Sequence, residues 1–359
     1  MTDVVLTQPP ACPPPDATVY LTTKHADLAA AATNYASTLT LASLPELVEK
    51  ILPVLANTDK KKSAEREAAA ALVPAVSTAI SPPAAAPYLV PLLRPLLVLL
   101  ADKGGKAVQG AAMTAAVAIV DGWSAQAKKV IGIPILTGVL GTDMKWQTQA
   151  GALELILKMT KDAAEEIGTA MPDLVPGIAP LLCDSKAQVA GNAKAAMELL
   201  CASIDNTDVQ PLVPALISAL ERPPEVEDCI FKLAATTFVQ QVEANALAIT
   251  VPLLKRGFQS RKTPVMRMCA KIIENMAKLV ERPSDVAPFL PLLMPALERA
   301  SEEISDPEAR AVCGNAKEVL DRKSKGLGME PEPPKAQKEV VIKAFDEIVP
   351  RGDKLKELY

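Results

Sequence analysis

The chain has 359 residues, of which 49% are hydrophobic, 22% charged and only 3% aromatic, and 32 are proline. That apolar content excludes global disorder, and its makeup of Ala, Leu, Val and Ile suits closely packed helices rather than aromatic-rich sheets. A net charge of −4 excludes a chain that is basic over its whole surface, so any nucleic-acid contact must come from a local patch.

Residues 1–43 read as a Pro-rich amino-terminal segment. It holds PPACPPP at 9–15 and at most one short Ala-rich helix, near Asp27 to Tyr35, of the kind that caps an array. It lacks the basic start and apolar core of a signal peptide. The chain's one histidine, His25, lies here and reads as a surface residue, which removes Ser-His-Asp, Cys-His and His-metal chemistry from the body of the chain.

From residue 44 to 323 one frame repeats. It is clearest in LVPLLRPLL (89–97), LVPGIAPLL (174–182) and FLPLLMPAL (289–297), each with two prolines four apart. With the first proline as origin, it fits at Glu49, Pro91, Pro134, Pro176, Pro214, Pro252 and Pro291, spaced by 42, 43, 42, 38, 38 and 39 residues. Offsets −1, +2 and +6 are apolar in all seven copies, and gaps of three and four residues return to one helical face. Each such helix is followed by a short polar turn and a second, Ala-rich helix. Two helices per roughly forty residues is the HEAT or armadillo period, so the spacing predicts an all-α, HEAT/armadillo-like α-solenoid of about seven helix pairs. At about 10 Å per pair this would make a curved rod roughly 70 Å long. Prolines inside the first helices are expected to kink them. Thr263 and Asp306 read as helix caps, with Pro264 and Pro307 in the first helical position.

The longest apolar stretch, Ala84 to Leu100, is interrupted by three prolines and Arg94, which argues against a membrane span. Cys12, Cys183, Cys201, Cys229, Cys269 and Cys313 form no C-x-x-C pair and read as reduced thiols, small buried hydrophobes in the main. Cys269 has the cations Arg267 and Lys271 nearby, the surroundings a reactive thiol requires. Trp123 and Trp146 read as packing residues. No catalytic or metal-binding constellation is apparent. KGGKAVQG lacks the Lys-Ser/Thr end of a phosphate loop, and Glu165-Glu166 and Glu302-Glu303 diverge on a helix.

Charge, by contrast, is concentrated. KRGFQSRKTPVMRMCAK (255–271) contains Lys255, Arg256, Arg261, Lys262, Arg267 and Lys271 and no acidic residue. Cations at a helix start oppose the helix dipole, so a purpose other than helix stability is implied. We read these six as a phosphate-binding patch of exposed side chains. Equivalent turns carry Lys60, Lys61, Lys62, Lys103, Lys106, Lys145 and Lys186, weaker candidates for the same edge. Residues 324–359 comprise a Gly/Pro linker, SKGLGMEPEPPK, and KEVVIKAFDEIV (338–349), an amphipathic stretch that would open a further helical element.

LAATTFVQQV (233–242), ITVPLLKRGFQSR (249–261), IIENMAKLVERPSDVAPFLPLLMPALERA (272–300) and ISDPEAR (304–310) resemble the HEAT domain of the fungal-type translation elongation factor three family. The translational activator that works with the amino-acid-starvation kinase shares this region more weakly. The resemblance covers about 44–323. It implies an arm that docks on the small-subunit head of the ribosome through ribosomal RNA and proteins. In the family that arm belongs to a cytoplasmic factor that promotes exit-site tRNA release, using ATP and magnesium in two cassette modules. Neither module lies within this sequence, so the chain itself is expected to have no enzymatic activity and no cofactor. It departs from the family pattern by stopping at Tyr359, as an amino-terminal fragment or a short natural relative. No DNA or membrane partner is expected. The alternative reading is a stand-alone HEAT scaffold that grips partner helices or peptides along its concave face.

Overall fold

The computed structural model describes residues 16–260 and 262–325. The Pro cluster at 9–15, Cys12, Arg261 and the stretch 338–349 lie outside them. Among the described residues every regular element is helical. Residues up to Trp123 form one compact unit and residues from Ser124 onward another.

The first unit opens with two helices rather than one, α1 (Ala17–Thr22) and α2 (Leu28–Ala36). Asp16 and Asp27 cap them, each accepting a backbone N–H at 3.0 Å. Two helix pairs follow: α3 (Leu44–Leu55) with α4 (Ser63–Ile80), and α5 (Pro82–Leu99) with α6 (Lys106–Asp121). Second helices pack side by side, α4 against α6, and α2 covers the free flank of α4. His25 is no loose surface group: its ring stacks on Tyr20 and its Nε2 lies 2.8 Å from the Tyr20 carbonyl.

The second unit contains five pairs. Short α7 (Ala125–Ala127) runs through a π-helical turn at 128–132 into α8 (Ile133–Thr137), which pairs with α9 (Trp146–Asp162). Then come α10 (Ala164–Gly168) and α11 (Met171–Ile178), paired with α12 (Ala187–Cys201), and α13 (Val213–Glu221), paired with α14 (Val226–Ala235). The last two pairs are α15 (Ala244–Phe258) with α16 (Thr263–Lys278), and short α17 (Pro283–Val286) leading into α18 (Leu290–Glu303), which pairs with α19 (Pro307–Lys325). The last helix thus continues two residues past the expected boundary at 323. The fold is an all-α HEAT-type solenoid of seven pairs.

The repeating frame is the core. Offset +2 (Ile51, Leu93, Leu136, Ile178, Leu216, Leu254, Leu293) is buried in every repeat. Offsets −1 and +6 are buried too, apart from half-buried Val213, Leu290 and Phe258. The prolines at the origin face outward or are half-exposed, where a missing N–H goes unnoticed. Pro87, Pro91 and Pro95 do not interrupt the helix: Ala84 to Leu99 lies in continuous α5, with Leu100 as its C-cap. By length and hydropathy alone α5 is apolar enough to cross a membrane, but half of it is buried within the protein, against α3 and α6. In three other repeats the origin proline is the second residue of its helix, after a π or 3-10 turn: Pro134, Pro214 and Pro291. There a change of helix type directly precedes the proline.

Two backbone sites stand out. Gly257 lies where α14, α15 and α16 meet, and a Cβ there would stand 2.4 Å from Cys269 Sγ and 2.5 Å from Ile230 Cδ1. Ser81, the single residue between α4 and α5, has φ +111°. A side chain in that region costs about 1–3 kcal/mol, against about 0.5–1 for the freedom a glycine loses on folding. Ser81→Gly should therefore stabilise the protein by roughly 1 kcal/mol, read as a higher urea midpoint. A lower midpoint would mean that the backbone there is unstrained.

Candidate nucleic-acid interface

The basic run spans the end of α15, the turn after it and a little over half of α16. Lys255 and Arg256 occupy the last turn of α15, where cations favour the helix dipole. Among the described residues Lys262, immediately before α16, has the unfavourable placement expected from the sequence, and it is neutralised by Glu227 of α14 at 2.6 Å. Arg267 pairs with Glu308 in the first turn of α19. These are exposed or half-exposed pairs, worth at most about 1 kcal/mol each, so a phosphate can displace the carboxylate at little cost. Lys255 and Lys271 are exposed and have no acidic partner among the described residues.

Arg256 corrects the expectation of a wholly exposed patch. Its guanidinium is part-buried and donates from Nη1 to the Leu220 carbonyl at 2.5 Å and from Nη2 to the Ala179 carbonyl at 3.4 Å. Leu220 is the next-to-last residue of α13 in the preceding pair, and Ala179 follows α11 in the pair before that. Arg256 thus satisfies terminal carbonyls of two neighbouring repeats, a structural task. Its Nη2 also lies 3.7 Å from Cys183 Sγ, whose thiol donates to Leu220 O. Arg256→Ala should lower stability by about 1.5–3 kcal/mol in urea titration, the range for a charged hydrogen bond, with little effect on anion binding. An unchanged midpoint would return Arg256 to the patch.

A cavity of about 640 Å³ opens beside this turn, lined by Lys255, Phe258, Thr263, Met266, Arg299 and Glu303 among others. Arg299, exposed on α18, brings a further cation to the place. Sequence reasoning missed it because it is 44 residues from Lys255 and carries no local signal. Thr263 is the first residue of α16 and not its cap, Lys262 holding that position. Asp306, by contrast, does cap α19, accepting the Glu308 N–H at 3.0 Å.

The weaker candidates Lys60, Lys61, Lys62, Lys103, Lys106, Lys145 and Lys186 are all exposed. Lys62, Lys145 and Lys186 each stand immediately before the second helix of a pair, the position Lys262 takes in its own repeat. Lys62 is partly matched by Glu65 at 3.4 Å. Cys183 is exposed rather than buried, beside Arg256, while Cys201, Cys229, Cys269 and Cys313 are buried and take no part. Burial pushes the Cys201 thiol up to about 12 and the Cys229 thiol to about 11, and raises those of Cys269 and Cys313. The cations near Cys269 in sequence therefore do not make it reactive. Trp123 is buried, but Trp146 is 37% exposed and less of a packing residue than its sequence suggested. Among the described residues no three His, Cys, Asp or Glu side chains converge as a metal site.

The fold and its basic turn define a class, HEAT solenoids with a charged edge, and comparison with known proteins narrows it. Residues 28–197 match the family described as EF3 N-terminal HEAT repeat, and residues 225–330 match Elongation factor 3/GNC1 HEAT repeat. The HEAT region of this chain belongs to the elongation factor 3 family. Similar proteins named elongation factor 3 include that of Gonapodya prolifera, 42% identical over 227 residues, or 63% of this chain and 21% of that protein. That of Phytophthora infestans is 43% identical over 225 residues, 62% of this chain and 21% of its own length. That of Mycosarcoma maydis is 34% identical over 295 residues, 81% of this chain and 27% of its own. This chain therefore spans about a fifth to a quarter of the length of such relatives. One engineered protein of known structure overlays with a TM-score of 0.27 at 17% identity over 77% of this chain and 97% of its own, too weakly to carry an argument.

Proposed function

We propose that this chain is a ribosome-docking HEAT arm of a translation elongation factor, gripping ribosomal RNA phosphates through the α15–α16 edge. Lys255, Lys262, Arg267 and Lys271 supply the charge, joined by Arg299 across the cavity and by Arg261 in the sequence of the turn. The observation that carries the reading is charge that folding leaves available. In a chain of net −4, Lys255 and Lys271 keep no acidic partner among the described residues, and two more cations are held only by an exposed carboxylate, Glu308, and a half-exposed one, Glu227. The arm works by positioning and not by catalysis. By the family relationship, ATP and magnesium act in cassette modules outside this sequence, and release of exit-site tRNA is an activity of the whole factor. Ribosomal proteins are further partners, and the cytoplasm is its place of work.

Co-sedimentation of the full chain with purified ribosomes over a range of salt tests this. Four phosphate contacts predict a log–log slope of about −3 to −3.5. Binding that ignores salt would overturn the phosphate reading and favour a scaffold that grips partners through apolar contacts.

A further inference from the structure

The chain contains two Ser/Thr-Pro pairs, Ser81-Pro82 and Thr263-Pro264. Their surroundings differ. The basic residues nearest Ser81 in sequence are Arg66 and Arg94, and Ser81 is held between two helices at positive φ. Thr263 lies in the middle of the basic run, with six Lys and Arg within eight residues on either side.

We propose that Thr263 is a phosphorylation site for a proline-directed protein kinase, and that the phosphate, seated in the cavity with Lys255 and Arg299, turns the basic edge off. The inference rests on reading that edge as a phosphate-binding surface.

Three observations carry it. The Thr263 side chain is half-exposed, and its hydroxyl has no hydrogen-bond partner among the described residues. The other hydroxyl of the turn is engaged, since Ser260 Oγ donates to Glu227 at 3.4 Å and accepts the Lys262 N–H at 3.2 Å. Thr263 also lines the same cavity as Lys255 and Arg299, two cations with no ion-pair partner among the described residues, though the Glu303 side chain lines it too. A phosphate there finds charge to meet that the fold has not used. Access by a kinase is cheap as well. The backbone at Lys262 is already extended (φ −94°, ψ 112°), and Pro264, second in the helix, has no N–H bond to give up.

The step is an ordinary phosphoryl transfer from ATP. Thr263 Oγ1 bonds to the γ-phosphorus as the bond from that phosphorus to the β–γ bridging oxygen breaks. ADP departs with that oxygen, and the hydroxyl proton passes to the general base of the kinase. The product carries about −1.5 to −2 charge at the start of a helix, where negative charge is favoured. The two consequences have opposite sign: α16 is better held, and the patch attracts polyanions less.

The test treats the full chain with ATP and a purified proline-directed kinase and follows intact mass and fragment spectra. One phosphate is expected on Thr263, lost in Thr263→Ala and also in Pro264→Ala, which keeps the hydroxyl. On polyuridylate RNA the phosphorylated chain should lose about 1.5 from its log–log salt slope, which is about thirtyfold in affinity at 0.1 M salt. Its thermal midpoint should hold or rise. Failure to modify Thr263 in the folded chain, while a synthetic peptide of residues 258–270 is modified, would overturn the proposal. So would a phosphorylated chain with an unchanged salt slope. If the unmodified chain shows no salt-dependent RNA binding, the docking reading fails and the switch fails with it, while phosphate on Thr263 and a raised midpoint would still support the site.

Discussion

Asp102→Ala is expected to destabilise the first unit by about 3–5 kcal/mol, the largest effect of any single substitution considered for this protein. The reason is Arg66, whose side chain is 1% exposed in the first turn of the alanine-rich helix α4. Its Nε lies 2.9 Å from Asp102 Oδ2, its Nη2 donates to Oδ1 at 3.1 Å, and its Nη1 donates to the Asp59 carbonyl at 2.6 Å. Removing the carboxylate leaves a guanidinium that cannot lose its proton and has almost no water. Asp102 also accepts the Gly104 N–H, so the turn before α6 loosens with it. Arg66→Met combined with Asp102→Ala should recover most of the loss, since a long unbranched apolar side chain fills much of the same space and needs no counter-charge. Urea titrations of the two variants decide the matter. A single variant within 1 kcal/mol of the parent would show that the pair is hydrated, and a double variant as weak as the single would show that packing was the issue.

The second large effect concerns ribosome binding. The triple variant Lys255→Glu, Lys262→Glu, Lys271→Glu should reduce the log–log salt slope by about 2–3 and weaken binding at 0.1 M salt by two orders of magnitude or more. Helical circular dichroism should stay unchanged, because all three side chains are exposed. Arg256 is left in place so that a loss of affinity cannot be blamed on a loosened fold. The same reversal at Lys60, Lys61 and Lys62 is the control, and we expect it to matter less. If the two triple variants behave alike, the α15–α16 edge is no more a docking site than any other lysine-rich turn.

Much of this molecule was legible in the sequence, and the limits have physical reasons. Offsets such as Ile178, Leu182 and Leu216 recur because each outer helix buries the same stripe, and a local period is what sequence displays best. Long-range charge pairing is not displayed at all. Lys262 and Arg267 looked like free cations until folding brought Glu227 and Glu308 beside them. Arg256 looked like its neighbours, yet it faces carbonyls 36 and 77 residues away. Arg66 could have been found. Ala69, Ala70 and Val73, three, four and seven positions on, are all buried, so the helical period places Arg66 on the buried face. A charge in an apolar stripe implies a hidden partner. The short α1 went unseen because it is only six residues long and directly follows the proline cluster.

The outward-facing prolines have one more consequence. A stack of Ala and Leu helices with similar side-chain volumes has a weakness: a helix can rotate or slide by part of a turn and still find apolar neighbours. A proline ring facing solvent at the same offset makes those misaligned arrangements unequal. Any rotation that turns the origin of an outer helix inward buries a carbonyl deprived of its partner and presses a rigid ring into a close-packed seam. The native alignment avoids both. The prolines thus act less as helix breakers than as alignment marks, raising the energy of near-miss packings while costing the correct one little.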